Sequence, residues 1–343
     1  MFQIVPRRFL SAILLGLLAA VIALPLPWAG VQAAARIHHA PALVVASTEP
    51  QLGPAQDAAF FQPFRQATGQ SVTRRAWTGA LPDLESHGVQ AGGSASAWSM
   101  VFAEDTTIRA ACMQGLVVHL AGSATNPDGC GAPGLATQVV VAWDQTWRDS
   151  APRWSDFWDI VRFPGKRGLR RDPRTTLEIA LLADGVPPAQ VYGQLSTPQG
   201  VDRAFRKLSQ LRPYITWWST PNEAASLLSR KQVLMGSAPL EAVNGVAARG
   251  EPVRIGVNAD MALSYDLSWA VVAGQSAERL GKSRDLLHFI VQPDRQGAFV
   301  AAAPAGPSGS GHPAALLPVD VQFWQVNYAP LSRRFALWLR KAG

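Results

Sequence analysis

Between Trp154 and Trp218 the sequence lays out two helices with their end signals in place. Thr175 or Thr176 can cap a helix that carries Leu177, Ala180 and Leu181 on one face and stops at Asp184-Gly185. Thr197-Pro198 then supplies a cap and a proline at the first helical position. Val201, Ala204, Phe205, Leu208 and Leu211 follow at spacings of three and four, so one face of this helix must lie on a core. Ile215 to Trp218 reads as a strand, in which alternation turns one of Trp217 and Trp218 inward and the other out. Thr220-Pro-Asn-Glu223 is a capping box ahead of Leu227 and Leu228.

The flanking chain continues the same grammar. Leu43 to Ala46 is an apolar run that fits a buried parallel strand, and it delivers Ser47, Thr48 and Glu49 at its end. A helix bearing Phe60, Phe61 and Phe64 follows, punctuated by Gly69, and then a strand from Val72 to Trp77. Trp98 to Ala103 is the next strand, ending in Glu104 and Asp105, with a helix toward Met113. Strands are expected at Gln138–Ala142, Val233–Met235, Val253–Val257 and Leu267–Val272, and helices at Pro239–Ala248, Ser283–Val291, from Pro293 and from Pro330. Residues 79–96 and 304–313 read as irregular. Strand–helix alternation of this kind gives an α/β fold with mainly parallel sheets flanked by helices.

A chain of 343 residues is long enough for two cores. Arg7-Arg8, the apolar run from Phe9 to about Leu24, the breakers Pro25 and Pro27, and Val31-Gln32-Ala33 read as a secretory signal peptide over residues 1–33. An uncleaved anchor is the alternative, although the run is short for a membrane span. The net charge of +7 includes Arg7 and Arg8, and the remaining Lys and Arg are scattered rather than gathered in a basic stripe. No nucleic-acid partner is implied. Cys112 and Cys130, an even pair in an exported chain, are a disulfide candidate. A metal site is the alternative there, but no cluster of histidines or further cysteines is read beside the pair, so no metal is expected.

Several runs together resemble the periplasmic solute-binding proteins of ABC importers, of the spermidine/putrescine type. They are Trp154-Ser-Asp-Phe-Trp-Asp159, Phe163-Pro-Gly-Lys-Arg167, Leu177-Glu-Ile-Ala-Leu-Leu-Ala-Asp-Gly-Val186 and Gly200-Val-Asp-Arg-Ala-Phe-Arg-Lys-Leu208. The resemblance implies a two-lobed type II binding-protein fold with two hinge crossings. Lobe 1 would comprise residues 36–138 and 268–315, and lobe 2 residues 139–267 and 316–343. It also implies a periplasmic monomer that binds a small solute, polyamine-like or related, in the inter-lobe cleft and meets an inner-membrane ABC permease. The family often carries cysteines at the two positions above.

Catalytic patterns are absent. There is no His-Glu-x-x-His; Ser276 stands where a phosphate loop before Gly281-Lys282-Ser283 needs glycine, and Ser310 breaks the likeness of residues 306–311 to a nucleophile elbow. No enzyme and no cofactor are expected; a secreted enzyme on this scaffold and a non-transporting sensor with a degenerate polyamine site are the alternatives. A polyamine site wants carboxylates at its ends and aromatic rings along the methylenes. Candidate ligand-binding residues are therefore Ser47, Thr48, Glu49, Glu104, Asp105, Asp172, Trp218, Tyr265 and Asp266. Glu104 and Asp105 double as a helix N-terminal pair, and Asp172 as a turn-forming Asp-Pro. Four positions depart from the family pattern: Ser47-Thr48 where an aromatic is usual, Pro239-Leu-Glu-Ala242 in place of Tyr-Asn-Gly-Arg, Asp266 one residue off the usual aspartate, and Pro304-Ala-Gly-Pro307 for Pro-Tyr-Gly-Pro. These point to a ligand other than a polyamine, or to a site that has been lost or handed to a partner.

Overall fold

The computed structural model describes residues 42–90, 94, 97–120, 129–248, 254–304 and 316–340. The signal-like segment and most of the loop expected after Pro304 lie outside the described residues. Among the described residues nine strands form one mixed sheet: β1 (Leu43–Ser47), β2 (Val72–Ala76), β3 (Met100–Glu104), β4 (Ala132–Asp144), β5 (Arg167–Arg170), β6 (Ile215–Trp218), β7 (Met235–Pro239), β8 (Ile255–Val271) and β9 (Leu317–Pro318). Their order is β2-β1-β3-β8-β4-β7-β5-β6, with β9 on β8. Pairing is parallel within β2-β1-β3 and within β7-β5-β6, and antiparallel where β8 meets β3 and where β4 meets β8 and β7.

The expected strands at Val253–Val257 and Leu267–Val272 are one, β8, and the run at Gln138–Ala142 is the later part of a longer β4. These two strands run side by side, with irregularities between Pro133 and Leu135 and between Val139 and Val141. Each parallel set hangs on a different part of the pair: β3 on Leu267–Val271 of β8, and β7 on Val139–Trp143 of β4. The fold is therefore two-lobed, with a parallel sheet on either side of two long crossing strands.

Local signals decide most helices. Helix α1 (Gln62–Thr68) ends on Gly69, whose φ of 73° is a left-handed cap that favours glycine. Helix α2 is Asp105–Met113, α3 Pro173–Ala183, α4 Pro198–Leu211, α5 Pro221–Ser229 and α6 Leu240–Ala248. Thr197 caps α4 by accepting from the Gly200 N–H, and the Thr220–Glu223 box caps α5. The predicted apolar face of α4 is buried throughout. Helix α7 is Ala277–Ile290 and α8 is Pro293–Ala302. The last helix, α9 (Val321–Arg340), does not begin at Pro330 but contains it, because Phe323 and Trp324 extend the buried stripe of Leu331 and Phe335 backwards. Residues 81–89, read as irregular, are helical.

The run from Trp154 to Arg167 is a scaffold for physical reasons. Arg167 is completely buried and donates to three carbonyls, those of Phe157 (2.8 Å), Gly165 (2.7 Å) and Phe163 (2.6 Å). Burial lowers its pKa to about 10. Trp154 Nε1 donates to Met261 O and Trp158 Nε1 to Lys207 O, pinning the same turn to β8 and α4. Across the molecule, Trp269 packs against Phe102 at 4.3 Å and Phe60 at 5.8 Å. Cys112 and Cys130 form the disulfide, with Cα atoms 5.8 Å apart. Contrary to the sequence expectation, a histidine lies beside it: a β-bridge between His119 and Cys130 brings the imidazole within 3.5 Å of Cys112 Sγ. Among the described residues no helix is long and apolar enough to cross a membrane.

Candidate functional site

The loops at the ends of β1, β3, β5 and β6 converge on one pocket. Thr48, Glu49, Trp77, Glu104 and Thr107 line it from one side, Arg170, Arg174, Trp218, Ser219 and Pro239 from the other, and Val139 and Tyr265 of the long strands form its floor. Carboxyl ends of parallel strands open onto a crevice by construction, so polar residues placed there meet without further help.

Glu49 is 3% exposed. Its backbone N–H donates to Ser47 Oγ, and its carboxylate accepts from Gln51 Nε2. Burial first, and then the carboxylates of Glu104 and Glu241, push its pKa up to about 8, while the Gln51 hydrogen bond and Arg170 pull the other way. Glu241 approaches from α6 and accepts from Thr137 Oγ1 on β4. Burial, with Glu49, Glu104 and Glu241, also raises the Tyr265 phenol well above its ordinary value. Three carboxylates bear on this part of the pocket against Arg170, so it would welcome a cation.

The opposite part is cationic. Arg170 ends β5, and its Nη1 lies 2.5 Å from Glu104 Oε1. Arg174, 4% exposed, sits 3.2 Å from Glu104 Oε2 and donates to Thr106 Oγ1 (3.0 Å) and Thr107 Oγ1 (2.6 Å). Neither Thr175 nor Thr176 is the cap of α3. Asp172 is, accepting from Arg174 N at 2.9 Å, and the backbone then departs from the helix at Arg174 (ψ 139°) and Thr175 (φ 63°). A β-branched residue at positive φ is strained by roughly 1–3 kcal/mol, and such strain persists only where the surroundings hold it. Here it turns Arg174 back toward β3. Asp172 grips the arginine side chain through Nε and Nη2, and the Tyr328 ring of α9 lies 4.5 Å from its guanidinium carbon. Burial alone would raise the Asp172 carboxyl, but Arg174 and Arg170 overcome it and hold it well below the usual carboxylate range.

The structure thus brings together Thr48, Glu49, Glu104, Trp218 and Tyr265, with Ser47 supporting Glu49 from behind. Trp218 is the inward member of its pair, and its Nε1 has no partner among the described residues. Trp217 packs on Phe335 and Trp338. Asp172 supports the site without lining this pocket. Asp105 turns away, pairing with Arg109 (2.6 Å) and accepting from Ser268 Oγ (2.8 Å). Asp266 is exposed on the face of β8 opposite Tyr265, as alternation requires. Sequence reasoning missed Arg170, Arg174, Trp77 and Glu241. Arg170 is the last residue of the short strand Arg167–Arg170, and position at a strand end was the one signal that could have found it.

A cleft that joins two lobes and gathers buried charges of both signs is the geometry of a solute-binding protein. The chain belongs to the bacterial extracellular solute-binding protein family, whose model matches residues 28–322. It is 34% identical over 320 residues to the γ-aminobutyric acid-binding protein of Pseudomonas aeruginosa, covering 83% of this chain and 87% of that one. An ABC transporter substrate-binding protein from Bradyrhizobium japonicum superposes with TM-score 0.71 at 26% identity, over 87% of this chain and 99% of that one. The binding protein MotA of A. tumefaciens, in complex with glucopine, gives TM-score 0.76 at 22% identity over 87% and 99%, which is a likeness of fold. Membership makes the chain the solute-binding component of an ABC importer. The polyamine subtype is narrower than these matches support.

Proposed function

We propose that the chain captures a small zwitterion, an ω-amino acid of the γ-aminobutyrate kind, and presents it to an ABC permease. The observation that carries this reading is the pairing of Arg170 and Arg174 with Glu49 across one buried pocket walled by Trp77 and Trp218. A carboxylate would be taken by the guanidiniums, whose fork geometry suits it, and an ammonium by Glu49 beside Tyr265. The tryptophans would cover the methylenes between. A polyamine, cationic at both ends, would have to put one end against two buried arginines. The binding function of the Pseudomonas aeruginosa relative supports the same class of ligand.

In this reading the lobes divide near Gln138/Val139 and Leu267/Ser268, a hinge lets them part to admit solute, and the permease recognises the form shut on solute. Export of a monomer through the N-terminal segment completes the proposal. The test is a thermal-shift panel on the mature protein with γ-aminobutyrate, its shorter and longer homologues, glutamate, putrescine and spermidine. A ligand at a hundred times its dissociation constant adds about 2.7 kcal/mol to apparent stability. The ω-amino acids should shift the transition and the polyamines should not; the reverse pattern would refute the assignment.

A further inference from the structure

Glu104 occupies the arginine pair as a ligand carboxylate would: each of its oxygens meets a different guanidinium, at 2.5 Å for Arg170 and 3.2 Å for Arg174. These partners come from strands that are far apart in the sheet. Between β3 and β5 lie β8, β4 and β7. Four inter-strand steps would place them roughly 19 Å apart in a flat sheet, beyond the reach of an arginine and a glutamate laid end to end. The contact therefore exists only because the sheet folds about β4 and β8, bringing the two parallel sets face to face. Arg174 adds Thr106 and Thr107 of α2 to the same bridge. The Arg170 guanidinium pairs with Glu104 and otherwise lies 5.9 Å from the Trp218 ring, while its backbone carbonyl accepts from Thr176 Oγ1.

We infer that Glu104 is a built-in stand-in for the ligand's carboxylate, holding the empty cleft shut and competing with incoming solute for Arg170 and Arg174. This rests on the zwitterion reading above and adds a specificity-determining residue to it. Charge bookkeeping supports it: Glu104 and Asp172 balance Arg170 and Arg174, so a third carboxylate finds both cations already paired until one of the resident acids leaves its arginine. Asp172 is held in place by the α3 cap and by the Tyr328 hydroxyl at 3.2 Å. Glu104 sits at the end of a strand, reaches across the cleft, and is the one that can let go. A solute without a carboxylate has nothing to offer the arginines in exchange, so the latch also rejects simple amines.

The experiment compares wild type, Glu104→Gln and Arg170→Gln by small-angle scattering without ligand and by calorimetric titration with γ-aminobutyrate. Both variants should show a larger radius of gyration when empty. Apparent affinity falls with the fraction of molecules whose site is available, so if the latch occupies the arginines nine-tenths of the time, E104Q binds about tenfold tighter. R170Q should lose binding. Weaker binding by E104Q, with a cooperative unfolding transition retained, would make Glu104 a direct contact for the ligand and overturn the inference. So would scattering from empty E104Q that matches wild type. If neither wild type nor E104Q takes any ω-amino acid, the ligand assignment fails instead, while the scattering still decides the latch.

Discussion

Raising the pH from 7 to 9 should tighten binding of an ω-amino acid about tenfold, and Glu49 is the reason. Its carboxyl is pushed up to about 8 by burial and by Glu104 and Glu241. At pH 7 roughly one molecule in ten then carries the anion that an ammonium needs, and at pH 9 roughly nine in ten. A ligand ammonium lowers this pKa, so binding at pH 7 must expel close to one proton per site. Two other groups facing Glu49 do not titrate in this range: Tyr265 is pushed well above its ordinary value, and Arg170 is raised by Glu104 and Asp172 despite the opposing effect of burial. Calorimetry at pH 7 in buffers of different ionisation enthalpy counts the proton directly, and a pH series gives the slope. Glu49→Gln should abolish both the proton release and the slope. Equal heats in all buffers, with a flat affinity from pH 7 to 9, would refute the role given to Glu49.

Three further outcomes follow from the same geometry. Glu178 is buried in α3, accepts from Trp324 Nε1 (2.6 Å) and the Tyr192 hydroxyl (3.0 Å), and is pushed up to about 7 by burial. A carboxyl raised on folding stabilises below its unfolded pKa and loses that contribution as pH rises through the folded value. Stability should therefore fall as the pH rises from the unfolded value of 4.5 through about 7, by an amount on the order of 3 kcal/mol, and level off above that. Glu178→Gln should flatten that fall, and parallel pH profiles for the two proteins would count against it. Cys112→Ser should lower stability by roughly 3 kcal/mol in chemical denaturation, since it opens a loop of 18 residues; a change under 1 kcal/mol would show the bridge to be dispensable. Tyr328→Ala removes the ring stacked on Arg174 and its hydroxyl from Asp172; it should weaken ligand binding several-fold while Tyr328→Phe restores most of it, and equal losses would place the effect in the hydroxyl instead.

What the sequence disclosed and what it withheld divide along the range of the interactions. Helix α4 was legible because Thr197, Pro198 and the apolar spacing act within a few residues, and so were the Thr220–Glu223 box and the Gly69 stop. Ser47 to Glu49 and Glu104 were legible as loop residues because each follows a short buried run. The start of α3 was misread because Thr176 and Thr175 are as good a cap in isolation as Asp172, and the kink at Thr175 is imposed by what Arg174 must reach. Arg170 and Arg174 looked like surface charge because their partner, Glu104, is 66 and more residues away and meets them only when the sheet folds. The continuity of β8 was hidden for a similar reason: Asn258 looks like the end of a strand until Val141 of β4 pairs with it, and its Nδ2 also donates to Pro152 O.

A crystal structure of the mature protein grown with γ-aminobutyrate tests the account at its centre. The ligand should lie between Trp77 and Trp218 with its carboxylate on Arg170 and Arg174, its ammonium within hydrogen-bond distance of Glu49, and Glu104 withdrawn from the arginines. A ligand bound the other way round, or held outside this pocket with the Glu104 bridges intact, would contradict it.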